Sequence, residues 1–365
     1  MATVRIENVS KKYDEVIAVE NLNLDIEDSE FVAILGPSGC GKTSTIRMVA
    51  GLEEITDGLI SIGDRTVNNL TPQERNVAMA FESYALYPPL TIFENVAFPL
   101  RSKGVPDAEV KKAVTRISEM LDISEILKEY PKSLSGGQKQ RIGLARALVR
   151  SPDVLLLDEP ISHLDSRHRC RMRAQLKKLI HDVNITTLYI THDQQEGIAL
   201  SDRMAVMNFG ELQQFDTPDN IFNNPKNKFV ADFVGEPPMN FIEVELISEG
   251  GNKYFINDAV KIKVPEQFNK LDLPNQLELG IRPFHCEASL KDPHTENTIK
   301  GKIFIIEMLG ESNLLTVKLG DNLMQVEINS EFDAKLDEPV WISLNLSKLH
   351  LFDIENGFSL KERGE

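Results

Sequence analysis

One run of this chain has the residue types and spacing of a phosphate cradle. Gly36-Pro37-Ser38-Gly39-Cys40-Gly41-Lys42-Thr43, with Ser44 following, fits G-x-x-x-x-G-K-[ST]. Its glycines let successive backbone N–H groups curl around phosphate oxygens. A helix opening at this point would add the partial positive charge of its N-terminus. The Lys42 ammonium would reach the β- and γ-phosphates of a nucleotide, and the Thr43 hydroxyl would ligate Mg²⁺. The competing reading is a glycine-rich helix start that is merely structural.

A second run bears on the same chemistry. Val154-Leu155-Leu156-Leu157 is apolar and is stopped by Asp158-Glu159-Pro160. Alone this says little, since many strands end in acidic turns. Beside the cradle, Asp158 can hold Mg²⁺ through water, and Glu159 can polarise an attacking water. The pair points to nucleotide hydrolysis. A third run, Leu134-Ser135-Gly136-Gly137-Gln138, places a hydroxyl and backbone N–H donors ahead of a helix, which makes another anion site.

These residues need a scaffold that brings them to one place. Phe31-Val32-Ala33-Ile34-Leu35, the Val154–Leu157 run and Thr187-Leu188-Tyr189-Ile190 are short, apolar and stopped by loop-forming or polar residues. Such runs read as strands buried on both faces of a parallel sheet, in an α/β fold whose site lies at the strands' C-terminal ends. Pro106 and Asp107 supply a helix start, and Val110, Val114, Ile117 and Leu121 recur at helical spacing. They suggest a helical insertion over about 90–150. The texture changes at Gly235-Glu236-Pro237-Pro238, a linker by composition. Beyond it, alternation at Ile242, Val244 and Leu246, at Met324, Val326 and Ile328, and at Val340, Ile342, Leu344 and Leu346 predicts a small β-barrel or sandwich. The domains are therefore expected at 1–235 and 236–365.

Composition limits the alternatives. The 365 residues carry 40 basic and 56 acidic side chains, a net charge of −16. More than half of that excess lies beyond residue 235. So acidic a chain is a poor match for nucleic acid or for an anionic membrane surface. No run approaches a membrane span, and the first residues have no apolar signal core, so no export is expected. Cys40, Cys170 and Cys286 are sparse and far apart, which fits a reducing compartment and gives no metal spacing.

In this order the three motifs resemble the ATP-binding subunit of ABC transporters, whose signature is Leu-Ser-Gly-Gly-Gln. The resemblance implies that Ser135, Gly136, Gly137 and Gln138 reach the γ-phosphate held by an opposite subunit, so that two sites form only when two such domains clamp together. It also implies adenine stacking by Tyr13, a γ-phosphate contact for His192, and a D-loop at Ser162-His163-Leu164-Asp165 whose Asp165 organises the site across the dimer. His163 stands where the family commonly has Asn. Phe81-Glu82-Ser83-Tyr84-Ala85-Leu86-Tyr87-Pro88 resembles the Q-loop segment, with Glu82 where the family has Gln. A carboxylate there can still ligate Mg²⁺ and take part in catalysis, yet it adds negative charge near Asp158 and Glu159. That leaves two readings, a tolerated substitution or a regulatory ATP-binding subunit paired with a more active copy.

The segment Phe233–Phe241 is similar to a junction in carbohydrate-importer ATPases of this family, and Gly280-Ile281-Arg282-Pro283 to a loop of their C-terminal regulatory domain. The implied fold is an α/β P-loop ABC ATPase domain with a helical insertion, followed by an all-β oligonucleotide-binding-type barrel domain. The implied ligands are ATP and Mg²⁺. The implied partners are two transmembrane permease subunits, an extracytoplasmic solute-binding protein and a second ATPase subunit, in a homo- or heterodimer at the cytoplasmic face of the inner membrane. The solute would be a sugar, sugar alcohol or related polyol. Polyamine, iron and sulfate remain as alternatives.

Overall fold

Apolar runs too short for helices become strands with no exposed face. In the computed structural model, which describes residues 2–81, 86–162, 166–295 and 297–361 (the backbone alone at 81 and 166–168), every residue of Phe31–Leu35 and of Thr186–Ile190 is buried. The chain divides into two compact units, Met1–Asn220 and Ile221–Glu365.

The first unit runs β1 (Val4–Tyr13), β2 (Val16–Ile26), β3 (Phe31–Leu35), α1 (Lys42–Ala50), β4 (Asp57–Ile62), β5 (Arg65–Thr66), β6 (Val77–Phe81), α2 (Ile92–Ser102), α3 (Asp107–Met120), α4 (Gly136–Leu148), β7 (Val154–Asp158), α5 (Ser166–Val183), β8 (Thr186–Ile190), α6 (Gln194–Leu200), β9 (Arg203–Asn208) and β10 (Glu211–Asp216). The larger sheet has the order β10-β9-β3-β8-β7-β6. It is parallel from β9 to β6, with β10 antiparallel at one edge. A second, antiparallel sheet, β2-β1-β4-β5, packs with it around α1. Ile6, Leu22, Ile34, Ile46 and Leu156 share that core.

The helical insertion is formed by α2, α3 and α4, which pack on one another. The expected helix from Asp107 is observed, burying Val110, Val114 and Ile117, with Leu121 buried one residue past its end. Among the described residues no helix is long and apolar enough to cross a membrane.

The second unit is all-β apart from short helices. Asn240–Glu249, Asn252–Ile256, Lys261–Lys263, Gln276–Ile281 and His350–Asp353 form one antiparallel sheet; Cys286–Ser289, Thr298–Met308, Ser312–Leu319, Asn322–Asn329 and Pro339–Leu344 form the other. One core joins the two, from Ile242, Val244 and Leu279 to Leu315, Val326 and Ile342, so the predicted alternation faces inward. The Asn240 side chain links the sheets, donating to Gln325 O at 2.7 Å and accepting from Gln325 N at 2.7 Å. Leu346 departs from the predicted alternation and falls in a single turn, Leu346–Lys348.

The unit begins at Ile221, ahead of the Gly235–Pro238 linker read from composition. The residues before Gly235 bind the β domain. Lys228 pairs with Glu278 at 2.7 Å, Asn227 forms a bridge with Phe358, and Arg282 donates to Phe222 O at 2.8 Å while lying over the Phe222 ring.

Candidate active site

The C-terminal ends of three adjacent parallel strands carry the candidate groups. β3 runs into Gly36, β7 into Asp158-Glu159, and β8 into Thr191-His192. The register sets Asp158 beside Ile190, so the residues that follow each strand emerge together.

After β3 the backbone makes turns that side chains would obstruct. Gly41, at φ 101°, is the residue before α1; a Cβ there would lie 2.4 Å from Ala18 O. A Cβ on Gly36 would lie 2.2 Å from Met207 O. The loop bends around the Lys42 ammonium, which is buried and donates to Gly36 O at 2.8 Å and to Pro37 O at 2.9 Å. Cys40 Sγ is 3.9 Å from Lys42 Nζ; burial raises the thiol pKa and the neighbouring ammonium lowers it, burial prevailing. α1 has no side-chain cap and no acidic residue in its first turn, so its N-terminal field meets no anion of its own. Thr43 is exposed at this end, and Ser44 is half-buried. This geometry suits a polyphosphate.

Glu159 is a non-glycine residue at φ 48°, a conformation that costs of order 1–3 kcal/mol and persists only where the surroundings impose it. Here Glu159 N donates to Ile190 O at 3.1 Å, which pins the turn to the end of β8. Its carboxylate meets the histidine just beyond that strand: Glu159 Oε1 lies 2.6 Å from His192 Nε2. His192 is 47% exposed at the side chain and Glu159 21%, so the pair faces outward from the sheet.

Ser135 caps α4. Gln138 N donates to Ser135 Oγ at 3.4 Å, and Gln138 Oε1 accepts from Ser135 N at 2.9 Å and from Ser135 Oγ at 3.1 Å. This is a reciprocal capping box. The Gln138 side chain thus serves its own turn, and among the described residues no hydrogen bond joins this turn to the Gly36–Thr43 loop.

Tyr13 ends β1 with its ring 40% exposed. Its hydroxyl donates to Glu53 and lies 3.4 Å from Ser44 Oγ, and Lys11 Nζ sits 4.6 Å from the ring centroid. The ring is therefore held beside α1, next to the loop. Glu82, His163 and Asp165 lie outside the described residues.

Sequence reasoning missed three residues around His192. Asp193 caps α6, its Oδ1 accepting from Gln195 N at 2.8 Å and Glu196 N at 3.3 Å, while Arg169 Nη1 donates to its Oδ2 at 3.0 Å. Glu196 is buried beneath that turn. The available signal was Asp193 followed three residues later by Glu196, an N-terminal helix pattern.

The ABC transporter family profile matches residues 19–162. The trehalose/maltose import ATP-binding protein MalK of Thermococcus litoralis is 42% identical over 98% of this chain and 99% of that protein. The sn-glycerol-3-phosphate import ATP-binding protein UgpC of Psychromonas ingrahamii is 38% identical over 97% of this chain and 95% of that protein. Among solved structures, a dimeric bacterial ABC transporter cassette superposes with a TM-score of 0.52 at 31% identity, covering 59% of this chain and 98% of that one.

Proposed function

Because this chain belongs to the ABC transporter family of ATP-binding proteins, we propose that it is the ATPase subunit of an importer for a sugar, sugar alcohol or related polyol. Relatives named for trehalose/maltose and for glycerol phosphate favour that solute class over polyamine, iron or sulfate.

ATP lies with its phosphates on the Gly36–Thr43 amides and the N-terminus of α1, and Tyr13 stacks on the adenine. Lys42 exchanges its carbonyl partners for β- and γ-oxygens. Thr43 and Asp158, with Glu82, would hold Mg²⁺, which offsets phosphate charge and orients the γ-phosphoryl group. Ser38, Cys40 and Ser44 belong to the cradle around these oxygens. Glu159 takes the proton of the attacking water, and His192 presents its imidazole to the γ-phosphate. The Ser135–Gln138 turn of a second copy, with Asp165, completes each site, so hydrolysis requires a dimer. Closure of that dimer drives two transmembrane permease subunits fed by an extracytoplasmic solute-binding protein, and the chain works at the cytoplasmic face of the membrane.

The observation that carries this reading is the 2.6 Å contact between Glu159 and His192 at the strand ends beside the Lys42 loop. Its test is ATP hydrolysis by the purified chain against a Lys42→Ala chain. Equal rates from the two proteins would overturn it.

A further inference from the structure

The mechanism above makes no use of Glu196, yet this carboxylate is 1% exposed and its Oε1 has no hydrogen-bond partner among the described residues. Leaving a buried polar oxygen unpaired costs about 1–3 kcal/mol, more for a charged group. Burial also pushes the Glu196 carboxyl pKa up, against the hydrogen bonds from Thr191 and Tyr189. An apolar side chain would serve a purely structural core better.

Its other oxygen organises the turn that carries His192. Oε2 accepts from Tyr189 Oη at 2.6 Å and from Thr191 Oγ1 at 2.6 Å. The Thr191 hydroxyl, its proton so engaged, accepts from Asp193 N at 3.0 Å. Both neighbours of His192 are thereby tied to one buried oxygen, Thr191 directly and Asp193 through Thr191. Tyr189 fixes the same oxygen to β8, where its ring packs on Phe31 with centroids 5.6 Å apart. The half-exposed His192 side chain takes its direction from this turn and from Glu159.

We propose that Glu196 is a positioning residue for His192, holding the 191–193 turn so that the imidazole faces Glu159 and the γ-phosphate. This rests on His192 being the γ-phosphate contact. The role requires an acceptor at the Oε2 position and not a negative charge. Glutamine can place its carbonyl oxygen there and its amide at the Oε1 position.

The test is a double-mutant cycle in full-length protein, reading kcat and the ATP Kd. Glu196→Leu should lower kcat about tenfold or more while the ATP Kd stays within about twofold, and Glu196→Gln should restore kcat to within about threefold of wild type. In a His192→Ala background, adding Glu196→Leu should change kcat by less than about twofold, because the positioned group is already gone. Thr191→Val cuts the same link with little change of volume and replaces Glu196→Leu should that chain fail to fold. The proposal is overturned if Glu196→Leu, or Thr191→Val in its place, leaves kcat unchanged or lowers it by the same factor with and without His192. A His192→Ala chain hydrolysing ATP at the wild-type rate would instead remove the reading of His192 on which the proposal stands.

Discussion

Glu159 Oε1 and His192 Nε2 are 2.6 Å apart, on turns that leave neighbouring parallel strands. The imidazole therefore lies directly against the residue assigned to activate water. Neither group can be moved without releasing the other.

For hydrolysis, the expected outcome is that Glu159→Gln binds MgATP but turns it over about 10²–10⁴-fold more slowly, the usual contribution of a general base. The slowed step should also accumulate dimer on a sizing column with ATP present. A wild-type rate in this variant would remove Glu159 from the base position.

Ser135 has two separable contributions. As a helix cap, its loss to alanine should destabilise the first unit by about 1 kcal/mol in denaturant melts. As a contact made to a second copy's nucleotide, Ser135→Arg should abolish turnover yet leave the ATP affinity of the isolated monomer unchanged. Mixing Ser135→Arg with Lys42→Ala chains gives dimers in which one composite site keeps both motifs, and some activity should return, provided one intact site suffices. Loss of ATP binding by the isolated Ser135→Arg monomer would contradict the assignment to a second copy's site.

Two glycines of the cradle should respond differently to alanine. At Gly41 a Cβ meets Ala18 O at 2.4 Å and Val19 Cγ2 at 2.9 Å, whereas at Gly39, φ 82°, it meets nothing within 4 Å. Gly41→Ala should therefore lose ATP binding and about 2–3 kcal/mol of stability, and Gly39→Ala about 1 kcal/mol from backbone strain alone. Binding of a fluorescent ATP analogue and thermal melts give the order; the reverse order would contradict the loop's geometry.

Acid should weaken the second unit through His350. Burial, assisted by the positive charges of Lys361, Arg282, His285 and Lys348, pushes this imidazole down from 6.5 to about 3. The folded state keeps His350 neutral where the unfolded chain would protonate it. Stability from this group is therefore complete above about pH 6.5 and falls as pH drops toward 3, by ~2 kcal/mol between pH 6.5 and 5. Trp341, the chain's one tryptophan, lies in this unit and reports its urea unfolding. His350→Leu should flatten the dependence; an unchanged slope would exclude His350 as its source.

The strands under the site were legible because burial on both faces writes itself as an unbroken apolar run, as in Phe31–Leu35. The Lys42 loop was legible because its glycines answer to backbone shape. Other features were not. Ser-Gly-Gly-Gln satisfies the pattern of an anion loop and that of a capping box equally, so the inward turn of the Gln138 side chain needed coordinates. Glu196 looks like any acid in the first turn of a helix; only the strand beneath it shows that it is buried. The start of the β domain at Ile221 depends on partners as distant as Glu278 and Phe358, which composition near Gly235 does not report.

The Lys42 ammonium already sits inside its loop, clasped by the carbonyls of Gly36 and Pro37. Its dehydration belongs to folding rather than to nucleotide capture. In the proposed site, ATP binding is then an exchange of oxygens around a cation already in place, which favours rapid association. The same arrangement makes release sensitive to phosphate number, since a shorter nucleotide returns the ammonium to partners that never moved away.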